Sequence, residues 1–342
     1  MKINELPLKN QEHERLVSCT DGNYHGLISI HNTRLGPAIG GTRFWQYRNE
    51  QEAINDVLRL ARGMTYKNAL AGVPFGGGKS IILKQDGPID RDTIFHAHGR
   101  FVETFGGKYI TAEDVGTSPD DMEFVRQETQ HVAGLLSGSG NPSPVTARGV
   151  FRAMQAAAKY RWGSDSLEGR TVAIQGCGSV GYYLASYLNN AGAHLFVTDV
   201  DERKVETVVR DFGAMAWAPD DIYHADADVF APCALGGVLN DDTINALKAE
   251  IVAGAANNQL LEPRHGDELA ARNILYAPDY AANSGGVING CRELLGWDAA
   301  QAAAKVDEIY DTVFNIFQIA AAEGIATSKA ADRLAEERFK LE

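Results

Sequence analysis

Two lysines and one glycine-rich loop are the features of this 342-residue chain whose type and spacing could do chemistry. Lys79 follows Gly76-Gly77-Gly78, and Lys67 lies twelve residues earlier, at the end of a helical stretch that carries Met64. An amine set tightly behind glycines is partly desolvated, and burial with a neighbouring cation lowers its pKa toward that of a working base. Two such amines can divide the labour, one holding a carboxylate and one moving protons; a pair of surface lysines is the other reading. Gly76 to Ser80 does not make a P-loop. The first glycine of G-x-x-x-x-G-K-[ST] would fall on Val73, no strand precedes the run, and Ser80 onward reads as a strand where a helix is required.

The loop is Gly176-Cys177-Gly178-Ser179-Val180-Gly181, a G-x-G-x-x-G whose context gives it weight. An apolar strand precedes it, a helix opens after it, and Asp199 ends the next strand eighteen residues beyond Gly181. Gly176 allows the tight turn, Gly178 lets a pyrophosphate approach the backbone, Gly181 lets helix and strand pack closely, and Ser179 and Val180 open the helix whose N-terminus faces the phosphates. Asp199 is placed to accept from ribose hydroxyls and to repel a 2′-phosphate, which points to NAD. Arg203 and Lys204 lie near enough to soften that preference.

Those residues need positioning elements. Tyr24–Ile30 reads as a strand, followed by a glycine-rich turn (Gly36, Gly40, Gly41) and the aromatic run Phe44 to Tyr47. A helix is expected over Glu52–Ala69, with Ile54, Val57, Leu58, Ala61 and Met64 on one buried face. Ser80–Leu83 is a strand, Asp92–Phe105 a helix, and Tyr109–Thr111 a short strand ending at Glu113-Asp114. Residues 137–144 (SGSGNPSP) mark a boundary, with helix resuming at Arg148. Beyond it strands at Thr171–Gln175, His194–Asp199, Asp228–Ala231, Glu250–Gly254 and Asn273–Ala277 alternate with helices, among them Tyr182–Asn190, as a doubly wound parallel sheet demands. Helix returns over Ala299–Glu323. The expected fold is α/β: a mixed α/β substrate-binding and catalytic domain over 1–140, a Rossmann-type NAD domain over 141–304, a cleft between them, and helices from about 305 to 342 packing back on the first domain.

Acidic residues outnumber basic ones 45 to 32, a net charge of −13, which opposes nucleic-acid backbones and anionic lipid. No apolar run approaches a membrane span, and the first twenty residues have no apolar signal core, so a cytoplasmic protein is expected. The four cysteines are more than fifty residues apart, and no histidine pair carries metal-ligand spacing; no metal site is expected.

The run from Gly40-Gly41-Thr42-Arg43 through Met64-Thr65-Tyr66-Lys67 to Gly77-Gly78-Lys79 resembles the glutamate/leucine/phenylalanine/valine dehydrogenase family, nearest its leucine branch. The likeness continues in order through residues 111–117 (TAEDVGT), 140–146 (GNPSPVT), 231–236 (APCALG), 254–259 (GAANNQ) and 283–289 (NSGGVIN). It implies reversible NAD-dependent oxidative deamination of an apolar L-amino acid to its 2-oxo acid and ammonia, by a homo-oligomer. It further implies that Lys67 binds the substrate carboxylate beside the Gly40 and Gly41 backbone, that Lys79 is the catalytic lysine and that Asp114 shuttles protons. Thr146 and Asn257 would meet the nicotinamide, and Ile39, Met64, Ala112, Val287 and Gly290 the substrate side chain. Gly290 stands where the leucine-type pattern carries a second valine, and Ala281-Ala282 are smaller than its usual branched pair. The pocket so implied has room for an aromatic amino acid besides leucine and other branched-chain ones; a phenylalanine- or tryptophan-preferring enzyme is the alternative. A non-catalytic NAD-binding sensor is the alternative of another class, for which both Lys79 and Asp114 would be superfluous. A hydroxy-acid dehydrogenase would want a catalytic histidine, and none lies in a matched motif.

Overall fold

The computed structural model describes residues 1–8, 12–135 and 140–340. The chain divides into two compact units. One comprises Met1–Gly140, Gly290–Gly296 and Glu336–Glu342, the other Asn141–Asn289 and Trp297–Ala335.

The first unit holds strands β1 (Lys2–Glu5), β2 (Arg15–Asp21), β3 (Tyr24–Asn32) and β4 (Ala38–Trp45), helix α1 (Glu50–Ala71), β5 (Gly76–Leu83), α2 (Arg91–Glu103), β6 (Tyr109–Glu113) and α3 (Pro119–Glu128). Its strands form one sheet among the described residues, in the order β1-β2-β3-β5-β4-β6. The β1 to β3 part and the β3/β5 pair are antiparallel, whereas β4 lies parallel to both β5 and β6. Apolar clusters cover both faces. Val57, Ala53, Leu27 and Ile81 bury α1 against one face, and Phe95, Phe101, Ile28 and Ile82 bury α2 against the other.

Gly40 and Gly41, expected in a turn, lie inside β4, and the glycines before Lys79 lie inside β5. Packing is the reason. A Cβ on Gly40 would stand 1.8 Å from the Gly78 carbonyl oxygen, and one on Gly77 would stand 2.1 Å from the Thr65 backbone nitrogen of α1. These glycines let backbones close on one another, so only Gly36, with φ 141°, keeps the expected turn role.

Helix α1 is longer than expected. The Asn49 side chain caps its start, and Gly72 in the left-handed conformation (φ 63°) ends it. Val57 and Ala61 are buried, while Ile54, Leu58 and Met64 are only half-buried. Arg338 donates to the carbonyls of Ala69 and Leu70 at 2.9 and 2.8 Å, satisfying orphan acceptors at the helix end.

The second unit begins with α4 (Ser143–Trp162), five residues before the expected Arg148. Of the boundary segment 137–144, residues 137–139 lie outside the described residues. Then come β7 (Thr171–Gln175), α5 (Ser179–Asn190), β8 (His194–Thr198), α6 (Glu202–Phe212), β9 (Met215–Ala216), β10 (Val229–Pro232), α7 (Asp241–Ala246), β11 (Ile251–Val252), α8 (Arg264–Ala271), β12 (Leu275–Tyr276) and α9 (Asp279–Ala282). Helices α10 (Gly285–Leu295), which groups with the first unit from Gly290 on, α11 (Ala299–Asp307), α12 (Ile309–Glu323) and α13 (Thr327–Lys340) follow. The sheet is parallel throughout, in the order β12-β11-β10-β7-β8-β9. That is the doubly wound order, with its switch point between β7 and β10.

The C-terminal helices depart from expectation. Only residues from Glu336 on group with the first unit; α11, α12 and most of α13 belong to the second. Apolar burial decides this. Helix α12 buries Ile309, Val313, Ile316 and Phe317, and Phe314 and Phe317 pack against Tyr160 of α4 at ring separations of 5.9 and 5.3 Å. Among the described residues no helix is long and apolar enough to cross a membrane.

Candidate active site

In the first unit the pleat sorts β4, β5 and β6 into two chemically different faces. Thr42, Ser80 and Thr111 point to the α2 side, where Thr42 Oγ1 lies 2.7 Å from Ser80 Oγ, 2.5 Å from Thr111 Oγ1 and 2.8 Å from His98 Nε2. His98 Nδ1 meets the Tyr24 hydroxyl at 2.8 Å, and the Tyr109 hydroxyl donates to the Gly40 carbonyl at 2.5 Å. This buried network locks the three strands in register.

The alternate residues, among them Ile39, Gly41, Lys79 and Ala112, point to the α1 side. Lys79 is buried, 4% exposed, and its Nζ lies 3.0 Å from Asp114 Oδ2. Asp114 sits just past β6, and its backbone N–H is fixed by the Thr117 hydroxyl at 2.8 Å. Burial pushes the Lys79 amine below its ordinary range, partly offset by Asp114. Burial pushes the Asp114 carboxyl up, but Lys79 and Arg43 outweigh it and hold the group below the usual range. Lys79 and Asp114, drawn from separate motifs, therefore form one contact.

Lys67 and Met64 lie in the C-terminal half of α1, both half-buried, where Gly77 admits Thr65 to the sheet. Gly290 lies in α10, one turn after Val287, and a Cβ built on it meets nothing within 4 Å. One turn later Glu293 accepts from the Gly134 N–H at 3.2 Å, and Ala133 pairs with Thr111 beside Ala112. Glu293 thereby ties its turn of α10 to the segment that pairs with β6.

Sequence reasoning missed Arg43, Asp56 and Tyr47. Arg43 Nε donates to Asp114 Oδ2 at 3.0 Å while its Nη1 donates to Asp56 Oδ2 at 2.9 Å, and the Tyr47 hydroxyl donates to the same Asp56 oxygen at 2.7 Å. The one available signal was an arginine two residues beyond Gly41 on the same strand face.

In the second unit the Gly176 to Gly181 loop follows β7 at the switch point. Gly176 has φ 107°, a Cβ on Gly181 would stand 1.9 Å from the Gly176 carbonyl oxygen, and a Cβ on Gly178 would meet nothing within 4 Å. The turn, the close packing and the open approach are thus each present. Gly178 caps α5 without a side-chain acceptor, leaving a helix N-terminus suited to an anion. A cavity of about 530 Å³ opens beside it, lined by Gly178, Ser179, Tyr182, Asp201, Arg203 and Lys204 among others; Val180 and Asp199 are not in its wall. Asp199 accepts backbone N–H bonds from Cys177 at 2.8 Å and from Asp201 at 2.9 Å, and Arg203 is forked onto Asp201 at 3.1 and 3.2 Å.

Thr146 lies in the first turn of α4, where its hydroxyl donates to the Pro142 carbonyl at 3.0 Å, and a Cβ on Gly286 would stand 2.8 Å from it. Asn257 accepts from Asn283 Nδ2 at 2.9 Å. The buried Asn283 Oδ1 has no hydrogen-bond partner among the described residues, an acceptor that a carboxamide N–H would satisfy. The cradle, the cavity and this acceptor fit a nicotinamide dinucleotide.

Among the described residues one group has metal-like spacing: Asp241, His265 and Glu268 bring ligand atoms within 4.8 Å of one another. Arg264 pairs with both carboxylates there and with Glu262, so a guanidinium already bridges the group.

The family model for the Glu/Leu/Phe/Val dehydrogenase dimerisation domain matches residues 12–131, and that for glutamate/leucine/phenylalanine/valine dehydrogenase matches 138–205 and 194–340. The chain is 52% identical over 338 residues to leucine dehydrogenase of Bacillus subtilis, covering 97% of this chain and 93% of that one. It is 48% identical over 336 residues to L-tryptophan dehydrogenase of Nostoc punctiforme, covering 97% and 95%. The crystal structure of L-tryptophan dehydrogenase from Nostoc punctiforme superposes with a TM-score of 0.88 at 46% identity, covering 96% of each chain.

Proposed function

The chain belongs to the glutamate/leucine/phenylalanine/valine dehydrogenase family, and on that premise we propose that it oxidatively deaminates an apolar L-amino acid with NAD, giving the 2-oxo acid, ammonia and NADH. The observation that carries the reading is the contact of Lys79 with Asp114: a buried amine of lowered pKa held 3.0 Å from a carboxylate.

Lys67 binds the substrate carboxylate as a point charge, beside backbone of β4 around Gly40 and Gly41. Lys79, its basicity lowered by burial, removes in its uncharged form a proton from the substrate ammonium, so that the amine lone pair can drive hydride departure from Cα. The dinucleotide, when bound, supplies the hydride acceptor. Lys79 hands that proton to Asp114 and, neutral again, takes the proton released as water adds to the resulting iminium carbon. Asp114 gives its proton to the nitrogen of the carbinolamine and takes the hydroxyl proton as the C–N bond breaks and ammonia leaves, and the protons then held by Lys79 and Asp114 pass to solvent. Electrons and atoms balance: one hydride goes to the cofactor, and one water oxygen enters the 2-oxo acid.

NAD is the cofactor of this reading because a ribose bound at the loop would meet the Asp199 carboxylate, and Arg203, one of the two cations lining the cavity with Lys204, is already engaged by Asp201. Leucine is the nominal substrate. A second, aromatic preference is favoured by the open space at Gly290. A panel of L-amino acids, each assayed with NAD and with NADP by the absorbance of the reduced nicotinamide, tests the whole reading. Turnover of apolar amino acids with NAD supports it; equal kcat/KM with both cofactors overturns the NAD assignment, and no turnover of any amino acid overturns the activity.

A further inference from the structure

Arg43 has no part in the chemistry just described, yet it is the most heavily anchored cation around Asp114. It projects from β4 toward α1, two residues beyond Gly41. One edge of its guanidinium donates to Asp114 Oδ2, and another nitrogen donates to Asp56 Oδ2. Asp56 is in turn held by the Tyr47 hydroxyl and, through Oδ1, by Arg59 at 2.8 Å. Side-chain exposures of 20% for Arg43 and 16% for Asp56 leave this chain only weakly screened by solvent.

Asp114 Oδ2 receives both Lys79 and Arg43, and Asp114 Oδ1 has no hydrogen-bond partner among the described residues. The two cations are not equivalent. Lys79 must be uncharged to act as base and gains charge when it does, whereas a guanidinium keeps its charge throughout. When Lys79 is neutral, Arg43 is the cation left on the carboxylate.

The geometry points to Arg43 as a positioning residue of the deaminating centre: held by Asp56, it grips Asp114 by one oxygen, leaves the other for proton transfer, and sets the pH at which the Lys79–Asp114 pair works. This rests on the function proposed above. The groups bearing on the pair are Lys79 from β5, Arg43 from β4, Asp56 and Arg59 from α1, Tyr47 from the turn before it and Tyr109 from β6. Arg43 acts in the same direction on both partners, lowering Lys79 and Asp114 alike. Its removal therefore raises both, and because the pair titrates as a unit the displaced values belong to the pair.

The test is the pH profile of kcat/KM for oxidative deamination in wild type, Arg43→Gln, Arg43→Lys and Asp56→Asn, with thermal unfolding and NADH binding recorded for each. In Arg43→Gln the ascending limb moves to higher pH by about 1–3 units, the range expected when a cation at contact distance is lost. Arg43→Lys returns most of that displacement. Asp56→Asn keeps an acceptor for Arg43 but removes a negative charge, so it moves the limb the opposite way. A residue that only supports the fold would lower the rate equally at every pH. An active wild type with an unmoved limb in Arg43→Gln overturns this proposal alone; if that variant does not fold, an unmoved limb in Asp56→Asn does so. A wild type without amino-acid dehydrogenase activity overturns the functional reading and this proposal with it.

Discussion

Replacing Gly290 with valine asks whether the open space in α10 belongs to the substrate. A Cβ at this position meets nothing within 4 Å, so a side chain can start there without displacing backbone. Gly290 lies inside a regular helix, and valine there gains a few tenths of a kcal/mol in helix propensity, roughly the Gly-to-Val difference, so folding is not compromised. On the proposed reading, in which Val287, Gly290 and Ala112 face the substrate, the added carbons reduce the room for its side chain. A hydrophobic pocket discriminates by about 1–3 kcal/mol per methylene, or about 10–200-fold. The ratio of kcat/KM for tryptophan or phenylalanine to that for leucine or valine is therefore expected to be measurable in the wild type and to fall by about 10–200-fold in Gly290→Val. The assay is steady-state kinetics on paired aromatic and branched substrates, with melting temperatures as a control on folding. A wild type confined to branched-chain substrates, together with an unchanged ratio in the variant, would refute the placement of Gly290 in the pocket wall.

Lys67→Ala is expected to raise KM while leaving kcat nearly unchanged, the pattern of a contact made equally in ground and transition states; a fall in kcat with unchanged KM would contradict it. Stability is expected to decline with acidity because His31 and His98 are buried and burial lowers both to about 3 from an ordinary value near 6.5. The unfolded chain binds the extra protons, so their stabilisation is complete above about pH 6.5 and is lost as pH falls toward 3, by about 1.4 kcal/mol per unit for each histidine. Denaturant midpoints measured from pH 7 to pH 5 check this, and a flat profile would count against it.

What could be read in the sequence was what local pattern encodes. The Gly176 to Gly181 loop, its preceding strand and Asp199 are contiguous, and each glycine's role depends on neighbours a few residues away. Lys79 could be singled out by the glycines before it. Their purpose could not be, because Gly40 and Gly77 serve close approach to Gly78 and Thr65, and glycine in a strand looks like glycine in a turn until the partner backbone is known. Arg43, Asp56 and Tyr47 escaped notice for a related reason. They are ordinary surface-type residues in sequence, and only the parallel pairing of β4 with β5 and β6 brings Arg43 to Asp114. How much of the C-terminal helical stretch groups with the first unit, which is only the part from Glu336 on, was not legible because an amphipathic pattern announces that a face is buried without naming what buries it. Helix α12 found α4 through Tyr160, Phe314 and Phe317.

The central claim, that Lys79 beside Asp114 performs the amine chemistry on a substrate oxidised by a nicotinamide dinucleotide, is tested most directly by Lys79→Ala. Steady-state turnover and NADH binding should be measured on the same preparation. The lysine belongs to the first unit and the dinucleotide cradle to the second, so binding should persist while turnover falls by roughly 10²–10⁴-fold or more, the contribution of a positioned general base. Turnover within tenfold of wild type, with binding intact, would contradict the account.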